Sequence, residues 1–462
     1  MAHGTRDLTE APVWKGLWAL SGPMAFGILA VLSTGLIDAY FLSQIGSDPL
    51  AAVGYIYPVT TAISSLSIGL SAGASAIISQ ALGRRDGDDD VTRRGLHALG
   101  IGLVLAALVA FAFWLVDAWL LGALGAADGV LEAALKYTPL WCLAFPFLVS
   151  MMLINAVFRA HGSGTVSAAI MVFSAVVNVA TTPVLILGLG PVPAFGIAGA
   201  AGGTLVAMMS GSVLAIGLAM RAGILQPCSA PLQDLWRNAK NIAGVGGPAA
   251  TSNAINPAGM ALVTAAVGTV GAAYVGGFGA ATRVESVVSV PLLALSSGIG
   301  PVVGQNWGAE KYDRAKRALR LCLMFSVGYG LLVAVMLTLF ADPIARAFGA
   351  GEESTSAAAA YLRVVGWSIF GFGMLVTGNA ALNAISRAGY AMTLSVARVL
   401  MIYVPLAWLG VSLFGYPGIL GAAVVANVFG AWAVLVAARA TGLSALDLAP
   451  VRWPAQRISA QA

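Results

Sequence analysis

The sequence predicts an all-α polytopic membrane protein, with twelve transmembrane helices in two six-helix lobes related by pseudo-twofold symmetry. Three observations predict it. First, 9% of the residues are charged and 59% hydrophobic, with a mean hydropathy of +0.88. A soluble globular chain carries about 25% charged residues, so the outer wall of this one must face lipid. Second, twelve apolar stretches near the length that crosses hydrocarbon, about 20 residues, succeed one another with short polar breaks. Third, the first half of the chain repeats in the second. The period-two alternation of a membrane β-barrel is absent.

The apolar stretches are 15–42, 50–82, 95–121, 131–158, 165–190 and 195–220 in the first half. In the second half they are 241–269, 274–306, 316–341, 357–385, 391–414 and 418–440. They divide the chain into an N-terminal tail (1–14), an N-lobe (15–220), an interlobe linker (221–240), a C-lobe (241–440) and a C-terminal tail (441–462). The first stretch is too long for a cleavable signal and runs straight into the second, so it reads as a retained helix. Arg84, Arg85, Arg93 and Arg94 follow helix 2, Arg221, Arg237 and Lys240 follow helix 6, and Lys311, Arg314, Lys316, Arg317 and Arg320 follow helix 8. Arg159 and Arg387 follow helices 4 and 10, whereas the odd loops are nearly bare. The positive-inside rule then puts both termini and all even loops in the cytoplasm of a bacterial inner-membrane protein. In the linker, PLQDLWRNAK (231–240) reads as an amphipathic helix lying on the membrane surface.

A shift of 225 positions brings Gly22-Pro23 onto Gly247-Pro248, and Gly46, Gly54 and Gly73 onto Gly271, Gly279 and Gly298. The same shift brings Gln80 and Gly83 onto Gln305 and Gly308. A second block places Asn155 and Arg159-Ala160 on Asn383 and Arg387-Ala388, and a third places Gly196-Ile197 on Gly418-Ile419. An even number of helices per repeat gives both lobes one orientation, with a cavity between them suited to alternating access. Pro23 and Pro248 each interrupt an apolar span, remove a helical hydrogen bond and mark candidate hinges.

Other chemistries are poorly represented. Cys142, Cys228 and Cys322 are scattered without metal or disulfide spacing. The net charge of +5 is distributed by membrane side and implies no nucleic-acid partner. GLSAG (69–73) lacks a strand-turn-helix context and a triad, GIGPVVG (298–304) follows no strand, and no phosphate-binding loop supports ATP-driven transport. The chain reads as a monomer, not an enzyme, with lipid and small organic molecules as partners and no cofactor.

The stretch ATRVESVVSVPLLALSSGIGPVVGQNWGAEKYDRAKRA (281–318), above all GQNWGA (304–309), resembles the signature of the multidrug and toxic compound extrusion (MATE) family. SQALGRRDG (79–87) is its degenerate first copy, and ISRAGY (385–390), GIAGAA and GILGAA resemble further family motifs. The resemblance covers roughly residues 15–440 and is closest to the DinF-like bacterial branch. It implies two lobes around a V-shaped cavity. It also implies antiport, in which protons or sodium enter as mostly cationic, amphipathic compounds leave. A lipid-linked oligosaccharide flippase of a related fold group is the alternative.

Asp38 is the main coupling candidate. It lies late in the first apolar span, where a charged carboxyl costs about 2.5–3.5 kcal/mol, so proton or cation binding there is favoured. The resemblance implies the same role, because DinF-like proteins couple through a first-helix Asp. It also implies an Asn, an acidic residue and a Thr on helices 5 and 6. Asn178 and Thr204 match, whereas Thr182 stands at the acidic position. One carboxyl among neutral oxygens suits a proton better than sodium. Asn155 is expected to support this pocket. The C-lobe carboxylates of the other branch, on helices 7 and 10, are missing. Asn253, Asn256, Arg283 and Glu285 remain as candidate C-lobe cavity residues, and Arg363 and Arg398 have no assigned role.

Overall fold

The computed structural model describes residues 7–188, 190–348 and 351–444. The outer part of the expected C-terminal tail and residues 1–6 of the N-terminal tail lie outside them. The described chain is helical throughout. The N-lobe consists of α1 (Val13–Ser43), α2 (Ser47–Arg84), α3 (Asp88–Ala123), α4 (Asp128–Ala160), α5 (Gly164–Leu187) and α6 (Ile197–Arg221). The C-lobe starts with α7 (Leu235–Gly268), α8 (Ala272–Val288), α9 (Val290–Gly308), α10 (Tyr312–Leu339) and the short α11 (Ala341–Phe348). It ends with α12 (Glu352–Val365), α13 (Ile369–Ala384), α14 (Ala388–Val396), α15 (Val404–Phe414) and α16 (Tyr416–Ala440).

These elements make twelve rods. A single 3₁₀ turn at Gly366–Ser368 joins α12 to α13. A π-helical segment at Ala397–Tyr403 joins α14 to α15 and runs into Pro405, whose ring would clash with the preceding turn of a regular helix. Ten rods are long and apolar enough to cross a membrane, and α8 with α9 forms an eleventh, bent by 44°. The remaining rod, α7, is the most interrupted by polar groups, at Thr251, Ser252, Asn253 and Asn256.

Pro23 and Pro248 lie inside unbroken helices. The sharp bend falls between α8 and α9, where Pro291 enters the first turn of α9. Tyr329 fills the opening by donating its hydroxyl to the Val288 carbonyl at 2.8 Å, as a break in hydrocarbon demands. The expectation on the linker needs correction: no separate surface helix forms there. From Leu235 onward the PLQDLWRNAK stretch is simply the start of α7.

The pseudosymmetry extends to backbone geometry. Gly46 and Gly271 precede the second rod of each lobe with φ of 139° and 157°, and Arg85 and Glu310 close it with φ of 59° and 58°. Gly162 and Ser386 occupy the left-handed position after α4 and α13, four residues out of step with the pairing of Arg159-Ala160 on Arg387-Ala388. That sequence match is coincidental. The true partners of Arg159-Ala160 are Asn383-Ala384, at the matching helix ends.

The lobes meet through glycines in the halves of the helices that carry the basic loops. A Cβ on Gly73 would strike the Ile242 carbonyl of α7, and one on its repeat mate Gly298 would strike Ser21 of α1. Gly83 and Gly308 press on the backbones of Gln305 and Gln80 across the pseudo-twofold axis. Met24 and Ala294 extend this contact. Beyond it, Leu32, Leu36 and Tyr40 of α1 are exposed and α8 packs chiefly on helices of its own lobe, so the structure is closed on its basic face and open on the other. Gly73→Val should lower stability by about 1–3 kcal/mol, as overpacking does. A drop in melting temperature of the purified protein, read by size-exclusion after heating, checks this.

Candidate functional site

The open half of the N-lobe holds Asp38. Its helix is drawn against α5 by Gly164, which packs on Leu20, and Gly27, which packs on Met171. The Asp38 side chain is half-buried, and its Oδ1 is shut from solvent without a hydrogen-bond partner. Thr182 of α5 stands beside it, yet the Thr182 hydroxyl is also buried and unpartnered, so no hydrogen bond closes between them. One turn earlier, Asn178 is buried with its Oδ1 equally unserved. Gly203 lets α6 approach until a Cβ would collide with Thr182. Thr204 beside it hydrogen-bonds its own helix at the Ala200 carbonyl, 3.2 Å. The Tyr137 hydroxyl of α4 lies next to Thr204 and within electrostatic reach of Asp38.

Asp38, Asn178, Thr182 and Thr204 thus come together, and Tyr137 joins them. Asn155 does not. It is fully buried with both amide atoms unpaired. However, it sits toward the basic end of α4, about 27 Å of helix rise from Tyr137. Position along a helix, not helix membership, decides the pocket.

The C-lobe has its own polar cluster. Glu285 accepts a hydrogen bond from the Tyr361 hydroxyl. Arg398, on the π-helical segment, donates to Asn256 at 3.3 Å and to Asn427 at 2.6 Å and lies over the Phe372 ring. Asn427 in turn donates to Ser368 at 2.8 Å. Glu285 is within electrostatic reach of Arg398, so it and Asn256 lie in one interior cluster. Arg283 does not, being exposed, and Asn253 bonds back to Ala249 of its own helix. Arg363 pairs with Asp342 at the surface, where an exposed ion pair contributes little. Tyr137 and Tyr361 escaped the sequence reading, although they occupy corresponding places in the repeat: Tyr137 lies nine residues into α4 and Tyr361 nine residues into α12.

The closed face is sealed by repeat mates. Gln80 donates to the Ala384 carbonyl at 2.7 Å and to Ser386 at 3.0 Å, capping the end of α13 from the opposite lobe. Gln305 donates to Ala160 at 2.7 Å, capping α4 likewise, and accepts the Leu8 amide at 3.0 Å. Each glutamine thus caps a helix end of the opposite lobe. Residues 7–11 run across this seal as a strap. Asn306 and Arg314 donate to the Leu8 carbonyl, Lys311 donates to Thr9, and Arg85 of the N-lobe faces Asp7 and Glu10. A cleft of about 720 Å³ on this face, lined by Gln80, Arg94, Asn238 and Ser386 among others, shares no residue with the Asp38 cluster.

The MatE family model matches residues 23–184 and again 248–409, the two matches standing at the 225-residue offset of the internal repeat. The chain belongs to the MatE family. Among MATE relatives, the "FAD transporter" of Shewanella oneidensis is 32% identical over 92% of this chain and 94% of its own length. The "Probable multidrug resistance protein YpnP" of Bacillus subtilis is 26% identical over 84% and 85%. The crystal structure of the Vibrio cholerae MATE transporter VcmN in the bent form superposes with a TM-score of 0.85 at 28% identity, covering 93% of this chain and 96% of that one. The protein is accordingly a multi-pass membrane transporter of the two-lobed MATE fold.

In this MATE transporter, Gln80→Leu or Gln305→Leu orphans a helix-end carbonyl at a cost of about 1–3 kcal/mol. Opening of the basic face should rise at least about fivefold. The check is the labelling rate, by an impermeant thiol reagent, of a cysteine placed at Ser79 (Ser79→Cys) in a background lacking the three native cysteines.

Proposed function

We propose that this MATE transporter is a secondary active antiporter that exports amphipathic, mostly cationic organic compounds in exchange for protons, with Asp38 as the coupling carboxyl. One observation carries this reading: Asp38 Oδ1 is buried without a partner beside Thr182, with the equally unserved Oδ1 of Asn178 one turn away on the same helix as Thr182. Buried polar atoms without partners are costly, so a proton or cation arriving from solution is strongly favoured there. One carboxyl among neutral oxygens supports a proton more than sodium. The pocket lies in the open half while the opposite face is sealed. A proton taken up on one side would therefore be released when the seal and the opening exchange places. The positive-inside rule supports a cytoplasmic basic face in a bacterial inner membrane. Coupling through the N-lobe is what the DinF-like branch would use.

A second substrate reading rests on the C-lobe. Arg398 is a guanidinium whose hydrogen-bond partners are neutral amide oxygens. Together with the Shewanella relative, it favours an anionic aromatic solute such as a flavin nucleotide. Counterflow of labelled ethidium against labelled FAD in proteoliposomes separates the two: uptake of FAD alone would replace the cationic reading.

Asp38→Asn should abolish efflux in a pump-deficient host while the protein remains in the membrane at normal levels. Wild-type efflux by that variant would end the coupling role. A protonophore should stop efflux by the wild-type protein within the assay, and replacing sodium with choline should leave it unchanged. Efflux that followed sodium instead would assign the Asp38 pocket to that ion.

A further inference from the structure

We propose that Asp117 is a positioning residue for the coupling site: through Thr138 it fixes the turn of α4 that presents Tyr137 to Thr204 and Asp38. The proposal rests on the coupling role given to Asp38.

The contact lies in a seam that is otherwise apolar. Toward the basic face, α3 packs Gly102 on Leu153. In the middle, Phe113 stands edge-on to Trp141 at 5.9 Å, and Trp141 stacks on Phe145 at 5.4 Å. Near the open end the seam carries Asp117, only 7% exposed. The fully buried Thr138 donates its hydroxyl to Asp117 Oδ2, and the Ala118 amide donates to Oδ1 at 2.7 Å. Among the described residues no cation pairs with Asp117, and Cys142, one turn beyond Thr138, lies within its electrostatic reach. A carboxyl buried between two helices is costly, and apolar residues of similar volume would hold them at least as well. Stability alone does not account for it.

Local backbone chemistry does. Pro139 follows Thr138 inside α4. Proline has no amide hydrogen, so the Leu135 carbonyl loses its helical partner. The turn that carries Tyr137 is therefore weakly held by its own helix, and the Asp117–Thr138 bond ties it to α3. Neighbouring residues on a helix point about 100° apart. Thr138 can thus face α3 while Tyr137 faces α6 and α1, and any rotation of this turn moves the Tyr137 hydroxyl. Around Asp38 itself, α5 and α6 contribute the neutral Thr182 and Thr204, and Tyr137 is the titratable neighbour. The C-lobe has Tyr361 at the corresponding place but Leu362 and Arg363 where Thr138 and Pro139 stand. The tie is confined to the lobe that holds Asp38.

The test needs no knowledge of the transported solute. Dicyclohexylcarbodiimide modifies protonated carboxyls in apolar surroundings. Its rate of reaction at Asp38, followed against pH by peptide mass spectrometry on the purified full-length protein, reports proton occupancy. Thr138→Val and Asp117→Leu should move the midpoint by about half a pH unit or more, roughly a threefold change in proton affinity. The double variant should shift no further than either single one, and Thr138→Ser should restore the wild-type midpoint. Unchanged midpoints in folded Thr138→Val and Asp117→Leu, or shifts that add in the double variant, would overturn the proposal. If Asp117→Leu does not reach the membrane, Thr138→Val against Thr138→Ser decides. Failure here with Asp38→Asn still inactive removes only the tie. Full transport by Asp38→Asn removes the coupling role instead.

Discussion

A buried oxygen without a hydrogen-bond donor is an unmet demand in a medium that contains almost no water. In this transporter Asp38, Asn178 and Thr182, in the open half of one lobe, each carry such an oxygen. Their helices cannot relax apart to admit solvent freely, because Gly27, Gly164 and Gly203 bring α1, α5 and α6 into backbone-level contact. At the opposite face, polar side chains tie the lobes together. Gln80, Gln305, Asn306 and Arg314 each find partners across the lobe boundary or on the strap. Hydrogen bonds that cross the lobes hold one face shut, while the Asp38 carboxyl of the open N-lobe half is free to take a partner from solution. Packed interfaces of this kind switch between discrete arrangements and do not deform smoothly.

Duplication preserved the frame and released the chemistry. The left-handed turns at Arg85 and Glu310 and at Gly162 and Ser386 agree between lobes, as do the gate glutamines and the interior tyrosines. The carboxyls diverged: Asp38 comes from the first helix of its lobe, whereas Glu285 comes from the second helix of the other. The C-lobe adds Arg398, so its interior carries both signs of charge. The lobes are therefore fitted for different tasks within one shape.

Much of this was legible in residue order. Helix count, lobes and the repeat followed from apolar length and from glycines and prolines whose backbone meaning survives divergence. The members of the Asp38 pocket were legible through the family pattern, including the departure at Thr182. Depth was not legible: Asn155 shares a helix with Tyr137 but lies almost its whole membrane crossing away. Nor was side-chain direction. Arg283 and Glu285, two residues apart, part company because one is exposed and the other meets Tyr361. Asp117 passed unnoticed because a single acid in an apolar run has no signature until Thr138, from another helix, is seen against it. The break before Pro291 was not legible, because a proline that opens a helix and one inside it look alike in residue order.

The strap has a consequence for biosynthesis. Leu8 binds Gln305, a partner 297 positions further along the chain. At about 5–20 residues per second, roughly 15–60 s separate the emergence of the two from the ribosome. For that interval the N-lobe sits in the bilayer with Leu8 undocked and the Ala160 carbonyl uncapped. Any quality-control factor that recognises a bare helix end or a loose apolar segment would meet this half-built protein first at that spot, and the arrival of α9 would conceal it.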